Sequence, residues 1–377
     1  MTRAQYVRQS ERGAILVHVA AALMMLIALS AFAVDFGLFW LGRGQAQNSA
    51  DSAAIAGAIG LAYDSSTDTS DTGPAKLSAL MAARANLVAG QQPSVSVTDD
   101  ITFVDCPDGT KAPACIRVNV YRDNAHGNPL PTWFGNLVGV TSQDTKATAT
   151  AEAGGANATN CLRPWLIPDK WSEVTAPATT YNGADVYTPP DPKTGLGGTG
   201  YTVAKDYGTV VTIHPGNPKA AISPSDYYDI DLADSTGGHD YKTNISTCIN
   251  TTEGLGDAVT VEPGGKVGPT KQGVADLTAK DPNATWDPVR KEIVNSAYGV
   301  SPRIVPIGLF SPAEFMALDR KSGRFDLHIV NLLGFFVWDV SGAGDIKGVL
   351  ISIPGELVAG PNVGPAASFV KYIQLVR

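Results

Sequence analysis

Charge is scarce in this 377-residue chain. Charged residues make up 17 % of it, below the quarter or so usual for globular proteins. Cations are the scarcer sign, 28 Lys and Arg against 36 Asp and Glu, so the net charge is −8 with histidines neutral. Phosphate affinity comes from clustered Lys and Arg, which argues against a nucleic-acid partner. Histidine is rarer still, with five residues: His18, His126, His214, His239 and His328. No two have the helical spacing of metal ligands. The four cysteines show neither C-x-x-C spacing nor nearby His pairs, so no zinc site is expected. Enzyme signatures are missing too: there is no G-x-S-x-G elbow, no H-E-x-x-H and no Walker A loop. One S-x-x-K occurs, Ser368 to Lys371. It falls in an expected C-terminal strand, where positions i and i+3 point to opposite faces and do not converge. No catalytic, cofactor-binding or metal-ligating set is assigned, and no small-molecule substrate is evident. Long hydrophobic runs number one near the N-terminus, too few for a channel or transporter.

What is present fits a folded, exported chain. Hydrophobic residues reach 44 %, too many for wholesale disorder. The mean hydropathy of 0.00 averages an apolar N-terminus with a polar remainder. Gly (39) and Pro (25) are frequent, which points to a loop-rich architecture, and the length allows about two domains.

Between Arg12 and Asp35 lie 22 residues without a formal charge, GAILVHVAAALMMLIALSAFAV. As a helix they extend about 33 Å, enough to cross the ~30 Å hydrocarbon layer of a bilayer. Apolar residues cover every face, unlike a core helix. Arg3, Arg8 and Arg12 precede the span, opposed by Glu11, and Asp35 follows it. The positive-inside rule then keeps residues 1–12 in the cytoplasm and sends the rest across. Gly13, His18 and Asp35 mark this membrane anchor. A cleaved signal peptide is the rival reading, since Ala31-Phe32-Ala33 fits the small-x-small pattern. Against it, the run exceeds a typical signal core and resumes after Asp35 as FGLFWL.

Cys106, Cys115, Cys161 and Cys248 all follow the span. An even number in an exported chain points to two disulfides. Cys106 and Cys115 flank the turn-rich PDGTKAPA, leaving Cys161 with Cys248; four unpaired buried thiols are the alternative.

The helix is expected to continue past the membrane through Leu61. The segment RGQAQNSADSAAIAGAIGLA is rich in small residues, and Ala50, Asp51, Ala53, Ala54 and Gly57 suit close packing on a partner or on the chain's own domain. A polar spacer, Tyr63 to Gly73, reads as a solvated linker rather than a calcium loop. Pro74 suits a first helical position and Gly90 the position past the end, so a helix is expected between them. Ile116, Val118 and Val120 alternate with polar residues, as do the alanines of KATATAEA, and both read as strands. Residues 154 to about 300 are dense in Gly, Pro, Asp and Thr, with short strands such as Gly208–His214, and are too long for one structureless loop. The stretch Ser225–Asp240 holds five aspartates. Asp229 and Asp231 would share a strand face, but a solvated loop is preferred over a calcium site. From Pro302 strands return. The longest, Phe325–Val340, is apolar on both faces and broken by Gly334, so a central strand is preferred over a helix or second span.

The fold class is therefore α+β. A long N-terminal transmembrane helix continues outside the membrane, followed by a β-rich envelope domain with a loop-rich insertion. The boundaries read are 1–62 for tail, span and extension, 63–153 for an α+β segment, 154–300 for the loop-rich region and 301–377 for the β-rich end.

The N-terminal block resembles the TadG-like members of the TadE/TadG family of the Tad (Flp) pilus-assembly system of bacteria. The carrying residues are Arg12-Gly13, the apolar span, Asp35 with Gly37, and Gln47-Asn48-Ser49-Ala50-Asp51-Ser52-Ala53-Ala54. A second stretch is similar to the periplasmic, pilin-like part of that group: IRVNVYRDN, then PLPTWFGNLVGV with its Pro-x-x-Phe helix, then KATATAEA. Cys161 with Arg163-Pro164-Trp165 and Ile167-Pro168-Asp169 is also family-like. His18 stands where TadE-like and pilin-like members place a Glu, so polymerisation as a pilin and cleavage after Gly13 are not carried over. No D-x-S-x-S motif is present, so neither is a von Willebrand A metal site. The resemblance implies a single-pass, non-enzymatic accessory protein of pilus assembly in the inner membrane. Its bulk would lie in the periplasm or outside the cell, its partners being the lipid bilayer and other Tad/Flp proteins. A pilus-independent envelope binding protein or adhesin, and an exported enzyme of unrecognised type, are the alternatives.

Overall fold

A computed structural model of the chain describes residues 3–64, 68–174, 180–189, 191, 197–232, 237–360 and 368–376. By contact the chain divides into two compact units, Met1–Glu152 with Ile373–Arg377, and Ala153–Tyr372.

The first unit begins with helix α1, Arg3–Ile59, whose last turn loosens into a π-helical turn at Gly60–Asp64. Helix α2 runs from Pro74 to Ala85. Strands β1 (Ile101–Val104) and β2 (Cys115–Arg122) follow, then β3 (Leu130–Pro131), β4 (Ser142–Gln143) and β5 (Thr145–Gly155). β2 is central, antiparallel to both β1 and β5. The alternation read from the sequence decides which side faces inward. Ile116, Val118, Val120, Ala147, Ala149 and Ala151 are buried, while Arg117, Lys146 and Thr148 are exposed. A disulfide joins Cys106 to Cys115 and closes the β1–β2 connection.

α2 ends earlier than the Gly90 stop implies. From Asn86 the backbone is extended, and Val88 is buried and hydrogen-bonded to Gln91, with Ala89 and Gly90 at positive φ between them. The buried guanidinium of Arg122 explains this preference. It donates to the carbonyl of Val88, to those of Asn128 (2.8 Å) and Pro129 (3.2 Å), and to Gln91 Oε1 (3.2 Å). A buried cation needs acceptors on all sides, and continuing the helix would withdraw the Val88 carbonyl.

In the second unit, β6 (Ala158–Asn160) and β7 (Trp165–Pro168) precede the short α3 (Val203–Asp206), β8 (Val210–Pro215) and β9 (Asp226–Asp231). Next come α4 (Gly238–Ser246), β10 (Thr252–Gly254), β11 (Ala258–Val261), α5 (Val267–Thr278), β12 (Thr285–Asp287) and β13 (Glu292–Val294). The unit finishes with β14 (Ile304–Phe310), α6 (Pro312–Ala317), β15 (Phe325–Val340), β16 (Ile346–Ile351), β17 (Ile353–Pro354) and the start of β18 (Val370–Val376). α6 opens on Pro312, with Ser311 as its N-cap, Ser311 Oγ accepting from the Glu314 N–H.

One seven-stranded sheet has the order β11-β15-β14-β7-β9-β8-β16, and further pairings β9–β11 and β15–β16 return it onto itself. Strands from 165–261 thus interleave with those from 304–351. β15 is a strand along all sixteen residues and pairs with β11, β14 and β16, which is why both its faces are apolar. A Cβ at Gly334 would collide with Ile353 and the Ile351 carbonyl, so the missing side chain permits the close strand approach. Alternate strand residues feed two clusters. Leu166, Tyr228, Ile230 and Phe310 enter one; Trp165, Tyr227, Leu309 and Phe335 enter the other with Tyr241, Ile245, Val274 and Leu277 of α4 and α5. A second disulfide joins Cys161 to Cys248, 87 residues apart. Beside it Arg163 donates to the carbonyls of Asn244 (3.3 Å) and Thr247 at the end of α4, the terminus where a cation is favoured.

Candidate functional site

The apolar part of α1 is not used as a core. None of its most apolar stretch is buried, and Leu16, Met24, Met25 and Phe32 each expose about two thirds or more of their surface. Burying such side chains is worth ~1.5–3 kcal/mol each, so a helix exposing them on every face needs an apolar solvent. It is long and apolar enough to cross a membrane. Gly13 and His18 lie exposed on it, and a Cβ at Gly13 would meet nothing within 4 Å.

Past the apolar part the same helix becomes a packing element. Ala50, Ala53, Ala54 and Ala58 have no measurable exposure, and Gly57 is buried. These residues pack on the first unit itself, against α2 and β2. A Cβ on Gly57 would lie 2.6 Å from Ile116 Cδ1 and 3.2 Å from Ala79 Cβ. Ser49 Oγ donates to the Ala83 carbonyl at 3.0 Å. Asp51 is half-buried and accepts from Gln47 Nε2 at 2.7 Å, and that amide also reaches the Thr148 carbonyl at 3.3 Å. The small-residue stripe is therefore consumed inside the fold. Gly60, which the sequence reading did not single out, is tighter still: its Cβ would lie 2.8 Å from Ala75 Cα and 2.9 Å from Ala75 N.

Asp35 joins the two regimes. Its Oδ1 accepts the Trp133 N–H (2.9 Å), and its Oδ2 accepts those of Phe134 (3.1 Å) and Gly135 (2.6 Å). These amides open a 3-10 turn at Gly135–Val138, ended by Gly139 at φ +87°. The orphan amides at a helical N-terminus are a natural seat for a carboxylate. Thr132 Oγ1 closes the turn on the Val140 carbonyl at 2.5 Å. A Cβ on Gly135 would lie 2.7 Å from that same carbonyl, so the residue following Phe134 must be glycine. The helix expected in PLPTWFGNLVGV is this single 3-10 turn, which follows Phe134, rather than an α-helix, because the Asp35 bond and the Thr132 clasp fix its two ends.

The remaining polar clusters are occupied by structure. Asp229 is buried; it accepts from Tyr241 Oη (2.5 Å) and the Lys266 N–H (3.0 Å). Tyr241 Oη in turn accepts from Trp165 Nε1 at 2.9 Å. Asp231 pairs instead with Arg324, at 3.4 Å. The two aspartates thus serve separate partners. Of the aspartate-rich stretch, residues 233–236 lie outside the described residues, as do 65–67 of the polar spacer. Ser368 Oγ lies within hydrogen-bond distance of the Ala156 and Val370 carbonyls. His126, His214 and His328 each meet one carboxylate, Asp123, Asp345 and Glu314 respectively.

Two buried aspartates set a pH dependence. Burial pushes Asp169 and Asp229 each up to about 6, against the hydrogen bonds that favour their charged forms. Unfolded, an aspartate titrates near ~4. The folded state therefore holds these protons more tightly, and stability falls as pH rises from about 4 through 6. Each shift corresponds to about 3 kcal/mol at most. Asp169→Asn should flatten this decline. The check is urea unfolding of both proteins across that range; parallel pH profiles would refute the assignment.

Residues 13–60 match the family model described as Tad: Putative Flp pilus-assembly TadE/G-like. The matched segment covers the apolar span, Asp35, the Gln47–Ala54 run and the packing stripe, and bears out the resemblance read from those residues. No curated protein and no solved structure matches the chain.

Proposed function

We infer that this chain is a single-pass, non-enzymatic accessory protein of Tad/Flp pilus assembly. Residues 1–12 face the cytoplasm, and the chain that follows the apolar span, the second compact unit included, lies beyond the inner membrane. The observation that carries the reading is the TadE/G-like match over residues 13–60, which falls on a helix whose apolar side chains are exposed at one end and which is built into a folded unit at the other. Such an object scaffolds or braces. α1 transmits position from the bilayer into a rigid unit, and its Ala and Gly residues weld helix to domain. The partners are the bilayer and other Tad/Flp proteins, engaged through surfaces other than the buried stripe.

The test is made in cells, and it reads the N-terminal sequence of the membrane-extracted protein and surface pili in a deletion strain. A start at Met1 with membrane retention, and loss of pili restored by the full chain, are expected. A start at Val34 in the soluble envelope fraction would remove the anchor. Normal piliation in the deletion strain would favour a pilus-independent adhesin. A start at Ala14 would mean pilin-type processing despite His18.

A further inference from the structure

The turn held by Asp35 is apolar where it is most exposed. Leu137 exposes 83 % of its surface and Trp133 73 %, and Phe134 and Val140 are also exposed. Loop residues facing water are ordinarily polar, and a contiguous apolar patch marks an interaction surface. Its occupant follows from where the turn is tied. Asp35 ends the 22-residue uncharged run, so its level along α1 is the edge of the hydrocarbon, and three hydrogen bonds fix the turn at that level.

Between turn and helix opens a groove of about 700 Å³. Leu137 and Val140 line one wall; Met24, Ile27, Phe32 and Phe36 line the other, with Ala28 and Ala31 making the helix shallow between them. Met24 precedes Asp35 by eleven residues, about 16 Å of helix. The groove therefore continues into the segment that must be covered by lipid. Phe32, Phe36 and Trp40 stack in sequence along α1, with centroids 5.9 and 6.3 Å apart. They form an aromatic rung at the level where Trp and Tyr concentrate in membrane proteins.

We propose that residues 132–140 form a second membrane contact. Trp133, Phe134, Leu137 and Val140 lie among phospholipid acyl chains at the non-cytoplasmic edge of the bilayer, and one acyl chain fills the groove against α1. The first unit is then held at two points rather than one, which stops it swinging about its helix. The inference rests on α1 spanning the membrane.

The test uses the full chain with both disulfides intact, so that a maleimide dye reaches only an introduced thiol. Leu137→Cys, Leu29→Cys and Val289→Cys, all at exposed positions, are labelled with an environment-sensitive fluorophore. They are reconstituted in vesicles of phosphatidylethanolamine and phosphatidylglycerol. Lipids carrying a doxyl group high on the acyl chain should quench the labels at positions 29 and 137. Aqueous iodide should quench only the label at 289. If the label at 29 meets lipid while that at 137 is quenched by iodide like that at 289, the turn lies in water and the inference falls alone. If the label at 137 is shielded from both quenchers, protein covers the patch and the lipid occupant is wrong. If the label at 29 also fails to meet lipid, the spanning reading itself has failed.

Discussion

Replacing Asp35 by Asn should release the turn at Trp133–Gly135 while leaving the second unit intact. The carboxylate accepts from all three amides, and both its oxygens are used. Asparagine keeps one acceptor, loses the charge and turns an N–H₂ toward backbone donors. Hydrogen bonds to a charged acceptor are about twice as strong as neutral ones. The amides of residues 133–135 should therefore exchange with solvent deuterium roughly tenfold faster or more in the variant. Protection of β7, β14 and β15 should not change. Asp35→Glu, longer by one methylene but charged, should fall between. Unaltered exchange at 133–135 in Asp35→Asn would show that the Thr132 clasp and the Gly135–Val140 approach hold the turn without the carboxylate.

The weld between α1 and α2 gives the second large effect. Gly60→Val places a Cβ 2.8 Å from Ala75 Cα, 2.9 Å from its nitrogen and 3.1 Å from the Pro74 carbonyl carbon. All three are backbone atoms at the first turn of α2, so the helix itself must move. Overpacking usually costs ~1–3 kcal/mol, and backbone obstruction puts this site at the upper end. The first unit should then melt roughly 5–10 °C lower. Gly57→Val meets mainly the tip of Ile116 and should cost less, since a side-chain end can rotate away. Gly44→Ala is the counterpart. Its Cβ meets nothing within 4 Å, and glycine inside a helix is ~1 kcal/mol worse than alanine, so that variant should gain stability. Thermal unfolding, with protection of the α2 amides as the local readout, separates the three. Equal shifts in all of them would mean that propensity alone, not packing, decides this helix.

Much of the architecture was legible because its signals are local. Twenty-two uncharged residues make a helix long and apolar enough to cross a bilayer whatever follows them. Strict alternation at Ile116–Val120 and in KATATAEA specifies strands and their inward faces. Phe325–Val340 read as a buried strand because valine, isoleucine and phenylalanine run through it and Gly334 interrupts it. The end of α2 was not legible, because Arg122, far along the chain, withdraws Val88 from the helix. Nor was the part played by residues 165–261. Their strands are short and separated by Gly- and Pro-rich connections, and only pairing with β14, β15 and β16 reveals them as sheet.

The site divides along the same line. Sequence by itself determined that there is an uncharged apolar run of helical length, that Asp35 ends that run, and that small residues follow at packing intervals, since these are properties of composition and spacing. It left open what the small residues pack on. Ala50, Ala53, Ala54 and Gly57 would suit a partner helix equally well, and only the fold shows them spent on α2 and β2. Sequence also showed Asp35 and the Pro-x-x-Phe segment as separate features about a hundred residues apart. Nothing local links a carboxylate to amides so distant. Their meeting was decided by tertiary structure, because α1 must lie across β2 to bury its alanines, and that placement brings the turn to the aspartate.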